Sequence, residues 1–230
     1  MVKRFFSAAA IGCAALLILV GAAPPPDPML AQIIAAAGAL PPAAMAFERS
    51  SRTVTRQDGG ESGTRMRIDR WDGRAFTLLS VDGKPPEAKQ AAEFRKATAA
   101  LPVPGYHRLA EFLKTGAVRQ TDVQGRTVYR LTSLPKGTVN VGKDVSANLS
   151  GEFLVDTSAA QPFISRARIV LPKPLSFFMV AKLDSLEIIY DYKLGSDGRP
   201  YLARAVRAIA GAQFGKQGTT RSETTYTMLR

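Results

Sequence analysis

The 230-residue chain holds one cysteine, Cys13, and one histidine, His107. A single thiol excludes an intrachain disulfide, a CxxC pair and any Cys/His cluster with zinc-ligand spacing. Stability has to come from core burial, and the chain is long enough to supply it. A lone histidine also narrows catalysis. As a general base His107 needs a nucleophile within reach and an acid to orient it. It sits between Tyr106 and Arg108 on an expected helix, no serine presents itself as a partner, and an ordinary helix-surface position is expected. Asp184 and Glu187 lie three apart on an expected strand, so alternation sends them to opposite faces and removes them as an acid–base pair. No catalytic signature, metal-ligand set or cofactor motif is found, and a non-enzymatic protein is expected.

Long apolar runs are equally scarce, with one exception. Lys3 and Arg4 precede FFSAAAIGCAALLILVGAA, which ends against Pro24-Pro25-Pro26. This is the layout of a secretory signal over residues 1–22, cut after Ala22 with Val20 and Ala22 in the small-residue positions. Two other readings exist: an uncleaved membrane anchor, for which the run is just long enough, and a lipoprotein box at AIGC before Cys13, which the continuing apolar run disfavours. All three place the body outside the cytoplasm. Loss of Lys3 and Arg4 leaves 29 of the 31 basic residues against 19 acidic ones and lowers the formal charge from +12 to +10. For an exported chain this excess points to anionic lipid headgroups, lipopolysaccharide phosphates or an acidic envelope protein, not to nucleic acid. Plain solubility is the competing explanation, because the basic residues are spread along the chain.

Residues 23–44 form a Pro/Ala-rich segment. Met29, Leu30, Ile33 and Ile34 follow the spacing of a short amphipathic helix that Gly38 and Pro41-Pro42 end. From about Phe47 the chain reads as strands. In TRMRIDRW, Met66 and Ile68 take one side while Arg65, Arg67 and Asp69 take the other. Asp72-Gly73 marks a hairpin, and Asp82-Gly83 with Pro85-Pro86 leads into two helices, EAKQAAEFRKAT and GYHRLAEFL. Tyr106, Leu109, Phe112 and Leu113 make an apolar stripe on the second. Beyond them almost everything is β. Phe153 falls in ANLSGEFLVDT, Phe163 and Ile169 in QPFISRARIVL, and Phe178 in SFFMVAKLDSLEIIYDYKL. On the last, Leu186, Ile188, Tyr190, Tyr192 and Leu194 project to one side. The turns are irregularly spaced, so this is a meander and not a solenoid or propeller. The expected fold is α+β, mainly β: one large twisted antiparallel sheet of roughly nine or more strands, with about three short helices over its apolar face, as one domain over residues 45–230.

Three short helices look insufficient to fill such a face, and a hollow is expected. Its lining is Met66, Ile68, Phe153, Phe163, Ile169, Phe178, Ile188 and Tyr190, and its lid Met29, Ile33, Leu109, Phe112 and Leu113. The competing expectation is that the same side chains pack on one another as a solid core.

The order of segments resembles a known group. A secretion signal and a short helix precede AAMAFERSSRTV (Ala43 to Val54), and the chain closes with DGRP (Asp197 to Pro200) and TTYTML (Thr224 to Leu229). This is similar to the LolA/LolB-type periplasmic lipoprotein carriers. TLLSVDGKPP (Thr77 to Pro86) and KPLSFFMVAKLDSLEI (Lys173 to Ile188) look closer to an uncharacterised Gram-negative branch of that superfamily. The resemblance implies a half-barrel with an apolar hollow under helical lids, a periplasmic location, and lipid or lipoprotein acyl chains as the cargo of a carrier or sensor. It also implies an arginine on an early strand that closes the lid, a place for Arg49 or Arg52. Arg204 and Arg207, three apart on one strand, fall on opposite faces by alternation unless a bulge intervenes; they are candidates for holding a headgroup, or one of them for a buried ion pair. No cofactor or metal is implied, and a monomer is expected. The alternative is an envelope interaction module of the same fold with a filled core.

Overall fold

Turn chemistry sets the layout. At Asp72-Gly73 the aspartate Oδ1 accepts the backbone N–H groups of Arg74 (2.8 Å) and Ala75 (2.9 Å). Gly73 takes φ of +96°, and a side chain there would meet the Ala43 carbonyl oxygen at 2.9 Å, so only glycine fits. The computed structural model describes residues 27–58, 60, 62–177 and 181–229. The expected signal segment therefore lies outside the described residues. Helix α1 spans Pro28–Gly38, and three strands follow, β1 (Phe47–Gln57), β2 (Gly63–Trp71) and β3 (Phe76–Val81). Next come α2 (Ala88–Thr98), α3 (Arg108–Leu113), β4 (Val118–Thr121) and β5 (Thr127–Leu131). The chain continues with β6 (Ser150–Asp156), β7 (Phe163–Val170), β8 (Leu175–Phe177) and β9 (Ala181–Leu194). It closes with β10 (Pro200–Gln213) and β11 (Lys216–Met228).

These strands form one open antiparallel sheet in the order β3-β2-β1-β11-β10-β9-β7-β6-β5-β4, with β8 paired separately to β9. Most neighbours are successive hairpins. Two pairs are not: β7 pairs with β9 across β8, and β1 pairs with β11 along its whole length, Phe47 opposite Met228 through Gln57 opposite Gly218. The first and last strands thus meet in the middle of the sheet.

The helices lie on one face, called the inner face below, α1 and α3 together over one part of it and α2 over another. Asp27 caps α1 by accepting the Met29 N–H at 2.9 Å, and its second oxygen accepts the Tyr129 hydroxyl at 2.8 Å, which ties the helix to β5. Ile33 of α1 and Leu109, Phe112 and Leu113 of α3 join Phe153, Ile169, Leu186 and Ile188 in a first core. Tyr106, just before α3, is fully buried there. Its hydroxyl accepts the Ile164 N–H at 3.0 Å, and its ring meets Tyr192 edge-on at 5.2 Å. A second, smaller core under α2 gathers Phe47, Trp71, Phe76, Leu78, Val81 and Phe94.

Alternation assigns the rest. On β2 the inward residues are Asp69 and Trp71, both buried, while Met66 is 49% exposed. Met66 and Ile68 therefore face outward, which corrects the expectation that they line the interior. The apolar pattern misleads because Asp69 is held inside by two arginines, Arg49 and Arg67. The outer face is a lattice of ion pairs, among them Arg130–Glu152, Arg166–Asp191, Arg168–Glu187 and Arg204–Glu223, all 2.6–2.9 Å. Exposed pairs add little stability, but they keep this face wet and unsuited to stacking.

Candidate functional site

Strand length decides where the interior stays open. Strands β9 and β10 each run 14 residues and β11 runs 13, which at the usual rise is about 45 Å. Helices α1 and α2 have 11 residues each and α3 has 6, so the longest reaches about 16 Å. The central strands outrun their cover. Past the helices, the inner face of β10, β11 and β1 floors a groove of about 700 Å³.

Between the two cores this floor is polar. The hydroxyls of Ser51 and Thr224 are 2.9 Å apart, as are those of Thr53 and Ser222. Farther along, in the groove, Ile209, Leu183, Phe177 and Val141 supply apolar surface, with Arg56, Lys182, Arg207 and Lys216 around it. Gly211 lies where a bulge in β9 brings the backbones together; a Cβ there would stand 2.2 Å from the Lys182 carbonyl oxygen. Gly218, opposite it on β11, is different: a Cβ there meets nothing nearer than 3.4 Å.

Two smaller features complete the inner side. A cleft of about 150 Å³ lies among Arg108, Phe112, Tyr190 and Tyr192. Burial pushes the Tyr190 hydroxyl above its ordinary range, and the Arg207 and Arg108 guanidiniums pull the other way. A second open cleft, about 630 Å³, sits at the end of α1 among Leu40, Met45, Met228 and the Asp197-Gly198 turn.

The expected hollow-lining residues are distributed differently. Phe153, Phe163, Ile169 and Ile188 are at most 7% exposed, packed directly on the expected lid residues Ile33, Leu109, Phe112 and Leu113, with Met29 at the margin. They are the first core itself. Tyr190 lines the small cleft, Met66 and Ile68 face outward, and Phe178 lies outside the described residues. Arg204 and Arg207 do fall on opposite faces. Arg204 is outside, paired with Glu223 (2.7 Å) and Asp191 (3.3 Å), and Arg207 is inside. Arg49 points inward and Arg52 is exposed, opposite Glu223.

His107 is half-buried, not on the helix surface as expected. Its Nδ1 is buried without a hydrogen bond, and burial lowers its pKa, aided by the neighbouring Arg108 charge. Among the described residues no three His, Cys, Asp or Glu side chains gather as a metal site. Also among them, no helix is long and apolar enough to cross a membrane.

The groove residues Ile209, Leu183 and Phe177 went unnoticed in the sequence. Their signal was the unequal length of strands and helices, not a local motif. No protein-family model matches the chain, no curated protein matches it, and no solved structure does.

Proposed function

We propose that the chain is a non-enzymatic carrier or sensor of the cell envelope that shelters a lipid acyl chain in the groove beyond its helices. The observation that carries this reading is the half-buried stretch of inner face at Ile209, Phe177 and Val141, over the buried Leu183, in a space of about 700 Å³, within the usual range of small-molecule sites. The N-terminal export signal read from the sequence and the resemblance to LolA/LolB-type half-barrel carriers support the periplasm as the place of work.

The energetics fit a carrier that must also let go. A buried methylene contributes about 0.8 kcal/mol, so a chain of roughly twelve carbons, half covered by an open groove, gains about 5 kcal/mol. Before the cost of association, which weakens it further, that corresponds to a dissociation constant on the order of 0.2 mM, weak enough for handover.

Gly218→Phe tests the site directly. The position has room for a side chain and points it into the groove. Uptake of a fluorescent fatty acid should fall at least tenfold while thermal stability is kept. Unchanged uptake by the folded variant would refute the location.

A second reading is favoured by the filled first core, in which the expected lining and lid pack on each other: an interaction module that meets another envelope protein through its charged outer face. Capture of such a partner, weakened by salt, from protein that takes up no acyl probe would favour it.

A further inference from the structure

We infer that the groove selects acyl chains bearing a phosphate group, with Arg207 as the principal anion receptor. This rests on the acyl reading of the groove and adds the chemistry of the head.

The distribution of counter-charges carries the inference. Four cations border the groove, Arg207 and Lys216 on its inner face and Arg56 and Lys182 alternating to the outer one, and among the described residues no carboxylate borders it. On the outer face the arrangement is opposite: Arg130, Arg166, Arg168 and Arg204 each hold a carboxylate within 3.0 Å. The chain places acids beside its arginines where no ligand is expected and omits them here. Lys182 alone among the four has an ion pair among the described residues, with Asp184 at 2.7 Å.

Arg207 is the most telling. Its Nε is buried and makes no hydrogen bond, and its one hydrogen bond among the described residues runs from Nη2 to the Asn140 carbonyl at a long 3.4 Å. Buried polar atoms are normally satisfied, whereas the rest of this half-buried residue reaches the groove. Across the strand pairs it faces Ser222 and Ile188, so it stands where the polar floor meets the apolar one. A phosphate there would accept N–H groups of the Arg207 fork, while Lys216 contributes charge. The tail would lie over Ile209 and Leu183.

The test compares a monoacylglycerol phosphate with the monoacylglycerol of the same chain, and inorganic phosphate alone, by calorimetry on the full mature chain. The phospholipid should bind at least tenfold tighter than the neutral lipid. Arg207→Gln should erase that difference without weakening the neutral lipid. Arg204→Gln, on the outer face, should leave it within twofold. Melting curves confirm that both variants are folded, and Lys216→Gln gives a second, smaller loss if Arg207→Gln does not fold. Equal binding of the two lipids overturns the phosphate preference and leaves the acyl reading standing. Equal losses from Arg204→Gln and Arg207→Gln reduce the effect to general charge and overturn the inference. Binding of inorganic phosphate without either lipid keeps the anion site, assigns it to the free ion and overturns the acyl reading. Failure of all three ligands to bind overturns both.

Discussion

Replacing Asp69 by asparagine should be among the most damaging single changes to this fold. The carboxylate is fully buried on the inner face of β2 and is gripped from both sides, by Arg49 and by the Arg67 Nε at 3.1 Å. Arg49 has a side chain only 13% exposed and lies over the Phe76 ring, 4.4 Å from its centre. The amide keeps the shape but removes the charge, and Arg49 is left buried without a counter-ion. Breaking a buried pair from one side costs about 3–5 kcal/mol. Arg67, with a side chain 39% exposed, reaches water and adds little. For a chain of this size each kcal/mol moves the melting temperature by about 2–4 °C, so a drop of roughly 6–20 °C is expected. Urea unfolding followed by the fluorescence of Trp71, the single tryptophan and two residues along β2, reads the change at the site. The double variant Arg49→Met/Asp69→Leu should recover most of the loss, since apolar replacement of both partners is often neutral. An Asp69→Asn variant within about 1 kcal/mol of the parent would refute the view that Asp69 is indispensable because it neutralises Arg49.

Two further predictions concern anchors of the first core. Tyr106→Phe strands the buried Ile164 N–H and should cost about 1–3 kcal/mol in urea unfolding. Burial pushes the Tyr106 hydroxyl up to about 12, against the opposing Ile164 N–H, whereas an unfolded tyrosine titrates near about 10. Its contribution is therefore complete below pH 10 and lost as pH rises through 12; Tyr106→Phe should flatten that alkaline limb. Asp27 behaves in the opposite sense. Burial alone would raise its carboxyl, but the Tyr129 hydroxyl, the Leu30 and Met29 N–H groups and Arg119 hold it below its ordinary value. The stability it contributes is present above the unfolded carboxyl range and lost as pH falls through the depressed value. Asp27→Ala should cost about 1 kcal/mol as a lost helix cap and shrink the acid limb of the stability–pH curve.

Much of the fold was legible because period-two alternation is a local signal. Leu186, Ile188 and Tyr192 turn their apolar sides inward as their spacing implied, and the Leu109, Phe112 and Leu113 stripe lies on the sheet. The opposite placement of Arg204 and Arg207 follows from the same rule. Met66 and Ile68 misled because apolar character normally marks the inside, whereas on β2 the inside is occupied by Asp69, whose charge is neutralised by Arg49 from the neighbouring strand. That pairing depends on register between β1 and β2, which no single strand reveals. The site was less legible still. The conspicuous aromatics, Phe153 and Phe163, were drawn into the closed core, because α1 and α3 cover that part of the sheet fully. The open groove is defined by where helices stop along 14-residue strands, a relation between elements distant in sequence. Arg207 became distinctive only once its neighbours showed that no acid faces it.

The most direct test of an acyl site beyond the helices is photocrosslinking with a fatty acid carrying a diazirine at the end of its tail, followed by peptide mapping. The groove on β9, β10 and β11 predicts saturable labelling centred on Leu183, Ile209 and Thr220, lost in Gly218→Phe. Labelling confined to Leu40 and Met228 at the end of α1, or labelling that never saturates, would contradict it.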